Sequence, residues 1–219
     1  MKIALFAPSL RGGGAERIIA NLAQGFTEHG FRVDLILAEA AGPHLSEIPA
    51  SVRVIDLGVK RVRYALWGLA RYLRRERPAF LVSTLRHANV IAIWARRLSG
   101  VSARLVIRED NVLVPTRRRK IGWRAKLTIL AMRLSYKRAD VVVAVSQGVA
   151  EDLIGACRLP SSKVKVIYNP VVTRELFSKA EEDPEDPWFE PTEPPVVLGV
   201  GRLVEQKDFS TLLRAFALV

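Results

Sequence analysis

Strands and helices alternating along most of the chain predict a doubly wound parallel sheet of the α/β class. Three observations carry this. The amino terminus runs from a short apolar strand, Ile3-Ala4-Leu5-Phe6-Ala7, through three glycines into an amphipathic helix. Further on, Asp140-Val141-Val142-Val143-Ala144-Val145 is a β-branched run of the kind covered on both faces of a sheet. Between such runs, helix-period stripes are closed by Gly or Pro.

The elements follow in order. Ala15, Ile18, Ile19, Leu22, Ala23 and Phe26 form the core stripe of the first helix, and Gly30 stops it. Val33 to Leu37 is the second strand, and Val52 to Leu57, beyond the Ala41-Gly42-Pro43 loop, is the third. Residues 64–77 form a helix with Leu66, Leu69, Ala70 and Leu73 inward and arginines outward, ended by Pro78. Phe80 to Val82 is the fourth strand, residues 87–98 a helix stopped by Gly100, and Arg104 to Ile107 the fifth strand. The valine run is the sixth. Ser146 is placed to cap a helix from Gln147 to about Ala156, and Val164 to Tyr168 is the seventh strand.

Residues 178–195 are acidic and hold five prolines, the composition of an interdomain linker. Val196 to Val200 then predicts a new strand and Phe209 to Val219 a helix. The expected organisation is a first domain over 1–177, a linker over 178–194, and a truncated second domain over 195–219, since one βα unit encloses no core.

Charge is unevenly spread. Residues 60–138 hold 21 Lys/Arg against Glu76, Glu109 and Asp110, a net of +18, whereas the whole chain carries +12. A segment this basic calls for an anionic partner: nucleic acid, anionic lipid or a pyrophosphate-bearing substrate. A hydrophobic content of 49% excludes a disordered chain, and no apolar run approaches the length of a membrane span. The short apolar start lacks a cleavage site, which argues against export. The single cysteine, Cys157, excludes an internal disulfide, suits a reducing cytosol and reads as packing. His29, His44 and His87 lie too far apart in sequence to suggest a metal site.

Two loops offer anion chemistry. Gly12-Gly13-Gly14 leaves room for close approach to the unpaired N–H groups of a helix start, though a tight turn without ligand has the same signature. Gly201-Arg202-Leu203-Val204-Glu205-Gln206-Lys207 sets two cations five residues apart on a strand-to-helix loop, where Arg supplies a fork and Lys a point charge. A third stretch, Arg117-Arg118-Arg119-Lys120 with Trp123 and Arg124, precedes the stripe Trp123, Leu127, Leu130, Ala131 and Leu134. Cations interleaved with an indole suit an anionic membrane interface; the other reading turns the stripe to the core and the cations to water. No helix-turn-helix, RNP or zinc motif supports nucleic acid.

Taken together, Gly13-Gly14-Ala15-Glu16-Arg17, Ala139 to Ser146, Val166-Ile167-Tyr168-Asn169-Pro170-Val171 and Val200 to Phe209 resemble the retaining glycosyltransferases of family 4, which have the two-domain, Rossmann-like GT-B architecture. The resemblance covers essentially the whole chain. It departs at Asp208, where the family usually has Gly, and after the fifth strand, where a usual His is replaced by Ile107-Arg108-Glu109-Asp110-Asn111, similar to a subgroup acting on lipid-linked saccharides.

The resemblance implies that Arg202, Lys207, Gly13 and Gly14 hold the donor diphosphate, and that Glu16, Arg17, Arg108 and Asn111 meet the acceptor. Glu109 in this stretch reads either as the group that accepts or orients the acceptor proton or as a salt-bridged loop carboxylate beside Arg108. The resemblance further implies a UDP-linked sugar donor, a lipid-linked or polysaccharide acceptor, no metal or separate cofactor, no nucleic acid, and a cytoplasmic protein bound peripherally to an anionic membrane. The family's paired glutamates of the second domain do not occur in these residues, so the 219-residue chain by itself is expected not to turn over. The alternative is a catalytically incomplete acceptor- or membrane-binding fragment.

Overall fold

A computed structural model describes the chain apart from residues 113–122, 173, 191 and 219, and, for side chains, also 124, 125, 174, 175 and 206. It divides into two compact units, Met1–Val171 and Val172–Val219.

The first unit is a seven-stranded, wholly parallel sheet. Its strands are β1 (Lys2–Ala7), β2 (Arg32–Leu37), β3 (Arg53–Asp56), β4 (Phe80–Thr84), β5 (Arg104–Glu109), β6 (Val141–Ala144) and β7 (Val164–Val166). Their order is β3-β2-β1-β4-β5-β6-β7. The helices are α1 (Gly14–Glu28), α2 (Ala65–Glu76), α3 (Arg86–Ser99), α4 (Trp123–Tyr136) and α5 (Gln147–Cys157). The doubly wound α/β prediction therefore holds, and the ladder carries β5 two residues beyond its apolar core to Glu109.

Alternation along each strand divides the core in two. Ile3, Leu5 and Ala7 pack with Ile19 and Ala23 of α1. Ala4, Phe6, Leu81, Leu105, Ile107 and Val142 face the opposite way, toward α2, α3, α4 and α5. Buried on both faces, β1 is apolar at every residue after Lys2.

Local chemistry sets the helix ends. Arg77 turns left-handed (φ +42°) before Pro78 to end α2, and Gly100 (φ +70°) ends α3. Ser146 Oγ accepts the Val149 N–H at 3.3 Å, the expected cap of α5. Burial pushes the Cys157 thiol up to about 12, consistent with a packed, unreactive group.

At the amino edge, buried Asp34 of β2 accepts Arg53 Nη2 at 2.5 Å and the Tyr72 hydroxyl at 2.6 Å. Hydrogen bonds from Arg53 and Lys2 hold the Glu76 carboxyl down at about 2. These contacts tie β1, β2, β3 and α2 together far from the carboxyl ends of the strands.

One alternative falls and one expectation needs correction. Of the two readings of the stripe on α4, the one that turns it to the core does not hold: Trp123, Leu127, Leu130 and Leu134 are exposed, while Met132 and Tyr136 are buried. Both sides of α4 are apolar, so periodicity alone could not say which one packs. In the second unit, the stretch Val196 to Val200 forms no strand. A parallel strand needs a neighbour to satisfy its N–H and C=O groups, and none of the described residues offers it one. It lies instead against α7 (Phe209–Phe216): a β-carbon on Gly199 would stand 3.0 Å from the Phe209 ring. The acidic stretch begins within α6 (Arg174–Ala180).

Candidate functional site at the carboxyl edge

The sheet order reverses between β1 and β4, and in such sheets the crevice outside the carboxyl ends at that point is where ligands bind. The β1–α1 and β4–α3 connections flank it. Gly12 has φ +103°, a backbone only Gly takes without strain, and Gly13 stands at the N-cap of α1 with no side-chain cap. The first N–H groups of α1 are thus left for another acceptor. Glu16 reaches back toward them: its Oε2 is 2.6 Å from where a β-carbon on Gly13 would be. Arg11 pairs with Glu39 at 2.7 Å, and Arg17 Nη1 is 3.7 Å from Glu47. Beside this loop, Pro8, Ser9, Arg11, Glu39, Lys60 and Val62 line a depression of about 500 Å³. Gly42 keeps the neighbouring loop close, for at φ +123° its hypothetical β-carbon would fall 1.9 Å from the Leu10 carbonyl oxygen.

Beyond the crevice, Arg108 joins three strand ends. Its Nη1 donates to Thr84 Oγ1 at 2.9 Å, and its Nη2 donates to Asn169 Oδ1 at 2.6 Å and pairs with Asp110 Oδ1 at 2.5 Å. Thr84 Oγ1 in turn donates to Asp110 Oδ2 at 3.1 Å. Burial lowers the Arg108 pKa, and the Asp110 charge opposes that shift. Asn21 of α1 donates to the Pro170 carbonyl at 2.9 Å, tying the loop after β7 to the glycine-loop helix.

Glu109 points the other way and is 2% exposed. Its Oε1 accepts the Tyr136 hydroxyl and, at 2.9 Å, Asn89 Nδ2, while Arg86 Nε lies 3.8 Å from Oε2. Burial raises the Glu109 pKa, against the pull of the Tyr136 and Asn89 hydrogen bonds and the Arg86 charge. Tyr136 is pushed well above its ordinary value by the same burial and by the neighbouring carboxylate. Asn89 Oδ1, Arg86 Nε and Ser83 Oγ, all within this layer, have no hydrogen-bond partner. Leu85 between them takes φ +69°, a strained conformation for a non-glycine residue. A carboxylate with an elevated pKa is better matched to a proton near neutrality than an ordinary glutamate.

The structure therefore places Arg108 and Glu109 in two adjoining polar clusters at the end of β5, with Asn111 exposed just beyond. Gly13 and Gly14 open α1, and Glu16 and Arg17 lie in its first turn. Sequence reasoning missed Thr84, Arg86, Asn89, Tyr136 and Asn169 as partners. Asn89 and Tyr136 carried one available signal, a polar side chain on the apolar face of its helix. Arg202 and Lys207 belong to the second unit, where both are exposed and a β-carbon on Gly201 would meet the Lys207 stem at 3.4 Å. Asp208 is left-handed at φ +48°, which explains why Gly would suit that position. Arg117, Arg118, Arg119 and Lys120 lie outside the described residues, as does the Arg124 side chain; Trp123 is exposed. Among the described residues, no cluster of His, Cys, Asp and Glu could hold a metal, and no helix is long and apolar enough to cross a membrane.

Comparison with known proteins bears on this geometry. The sequence profile of Glycosyltransferase Family 4 matches residues 12–175. The chain is 27% identical over 232 residues to the N-acetylgalactosamine-N,N'-diacetylbacillosaminyl-diphospho-undecaprenol 4-alpha-N-acetylgalactosaminyltransferase of Campylobacter jejuni subsp. jejuni serotype O:2. That alignment takes in 99% of this chain and 59% of the relative, so the chain spans about three fifths of that protein's length. In fold it is similar to Anabaena Alr3699/HepE in complex with UDP (TM-score 0.60, 20% identity, 82% of this chain and 49% of that one). It is also similar to a glycosyltransferase from Rickettsia africae (TM-score 0.59, 19% identity, 84% and 46%).

Proposed function

Because this chain belongs to Glycosyltransferase Family 4, we propose that its protein transfers a hexosyl or N-acetylhexosaminyl group from a UDP-linked donor to a lipid-linked glycan, with retention of configuration. The observation that carries this reading is the alignment of nearly the whole chain with a transferase whose name specifies a diphospho-undecaprenol acceptor. The first unit supplies the acceptor side. The glycine loop that opens α1 beside the switch point, and the end of β5 leading into Arg108, Glu109 and Asn111, support this reading. Glu109, buried and raised in pKa, takes or orients the proton of the acceptor hydroxyl, while Arg108, Asn111, Glu16 and Arg17 hold the acceptor. Arg202 and Lys207, with Gly13 and Gly14, hold the donor diphosphate through charge-assisted and backbone hydrogen bonds. No metal or cofactor beyond the donor is required. The protein works in the cytoplasm at the inner face of an anionic membrane, helped by the basic stretch from Arg117 to Arg124.

The test uses the complete gene product with labelled UDP-sugars and a lipid extract. Donor-dependent label in the lipid fraction is expected, with the anomeric configuration of the product read by NMR. Arg202→Ala and Lys207→Ala are each expected to weaken donor use by about 1.5–3 kcal/mol, the worth of a hydrogen bond to a charged group, with acceptor use unchanged. Failure to label lipid with any UDP-sugar overturns the proposed reaction; unchanged donor kinetics in both variants overturns the diphosphate role.

A further inference from the structure

We propose that Arg86 is a substrate-binding residue of the crevice: its guanidinium, seated on the buried Glu109 cluster, holds a phosphate oxyanion of the donor or of the lipid-linked acceptor. The proposal rests on the reading of a transfer between diphosphate-bearing substrates, and adds to it a residue with no role there.

Arg86 opens α3 just beyond the carboxyl end of β4, on the connection that flanks the switch point. The sheet register sets what lies beneath it. Ser83 of β4 pairs with Phe6 on one side and Ile107 on the other, so all three share a face. Glu109, two residues past Ile107, faces the same way. Arg86 Nε is buried 3.8 Å from Glu109 Oε2. The outer end of the side chain is not buried: it is 29% exposed, and neither η nitrogen hydrogen-bonds to a described residue. No side chain caps α3, so the positive end of the helix adds to the guanidinium charge.

The cluster satisfies Glu109 better than it satisfies Arg86. Oε1 of Glu109 accepts from Tyr136 of α4 and Asn89 of α3, which leaves Oε2 for Arg86 at a separation too long for a hydrogen bond. A buried guanidinium Nε without an acceptor, a fully buried Ser83 hydroxyl without a partner, and Leu85 between them at φ +69° concentrate unfavourable terms in one turn. Such a turn suits a site whose last acceptor arrives with the substrate. The planar guanidinium matches two oxygens of one phosphate and keeps its charge throughout the working pH range. Glu109, 2% exposed, is closed to direct contact, so of its two proposed roles burial favours orienting, exerted through Arg86.

Phosphate binding here is linked to protons. Facing Glu109 are Arg86 and Asn89 from α3, Tyr136 from α4, and its strand neighbours Arg108 and Asp110; the Cys157 thiol of α5 also feels its charge. Burial holds the Glu109 carboxyl above the ordinary glutamate range. While it is protonated, the Arg86 charge is left for the phosphate. As pH rises through the folded pKa, the carboxylate neutralises Arg86 and repels the incoming oxyanion, so affinity falls. By reciprocity, phosphate binding takes up a proton. Gln at 109 does not ionise, and its affinity escapes that fall.

The experiment is calorimetric titration of the complete gene product with UDP-N-acetylglucosamine and, separately, with geranyl diphosphate, each variant being checked by thermal unfolding. It needs no turnover, so its failure leaves the proposed transfer standing, and failure to label lipid leaves the binding result standing. R86Q is expected to weaken at least one probe on the order of 10- to 100-fold, the range of a charge-assisted hydrogen bond. A loss for the nucleotide sugar assigns the phosphate to the donor; a loss for the prenyl diphosphate assigns it to the acceptor. R86K, charged but without the fork, should fall between R86Q and the wild type. R97Q, at the other end of α3, should bind like the wild type. With the affected probe, the wild type should lose affinity relative to E109Q as pH rises, a comparison in which the ionisation of the probe cancels. Binding of both probes unchanged in R86Q, an equal loss in R97Q, R86K as weak as R86Q, the same pH dependence in the wild type and E109Q, or no binding of either probe would each overturn the assignment.

Discussion

Replacing Glu109 by Gln tests whether burial governs the carboxylate at the end of β5. The substitution keeps the shape and the oxygen that accepts Tyr136 and Asn89, and turns an amide toward Arg86, 3.8 Å from the present Oε2. Near pH 4 both side chains are largely neutral in the folded protein, and the misdirected amide should cost about 1 kcal/mol. As pH rises through the ordinary glutamate range, the unfolded wild-type chain ionises first, because the folded pKa is raised. The folded state then holds more protons than the unfolded one, so stability present at low pH is lost as pH climbs through the folded pKa. Each unit of elevation is worth about 1.4 kcal/mol. In a chain of this length that is about 3–6 °C of melting temperature. Gln does not titrate, so the wild type should lose ground to E109Q as pH rises from the ordinary glutamate range through the raised folded pKa. The assay is thermal unfolding of both proteins across that range. A difference independent of pH, or a wild type that gains on the variant as pH rises, would refute the argument that desolvation outweighs the hydrogen bonds.

Tyr136→Phe removes the hydroxyl bonded to Glu109 and should cost about 1.5–3 kcal/mol in urea unfolding at neutral pH, with a smaller loss at low pH where Glu109 is protonated. Gly42→Ala sets a β-carbon against the Leu10 carbonyl and should destabilise by more than about 3 kcal/mol, whereas Gly100→Ala, left-handed but in open space, should cost about 1 kcal/mol; equal melting temperatures would show that the 38–42 loop yields freely. Hydrogen exchange should find the amides of Val196 to Val200 far less protected than those of Val141–Ala144, since the former lack a ladder and the latter lie inside one; equal protection would mean that this stretch pairs in solution.

Where a choice was local, the sequence by itself determined it. β1 and β6 are continuous apolar runs, Gly100 and the Arg77–Pro78 pair stop their helices, and Ser146 caps α5, because strand burial, left-handed turns and side-chain capping act within a few residues. The glycine loop and the Arg108–Asn111 stretch were likewise legible as ends of predicted strands. The partners of Glu109 and Arg108 were not. Tyr136 is 27 residues from Glu109 and Asn169 is 61 from Arg108. Only the sheet order brings β4, β5 and β7 close enough for their side chains to meet. The facing of α4 was equally beyond periodicity: with apolar residues on both sides, its orientation depends on what α3, α5 and the sheet already cover. Val196 to Val200 has strand composition without a strand, since β-propensity becomes structure only when a neighbouring backbone accepts its hydrogen bonds.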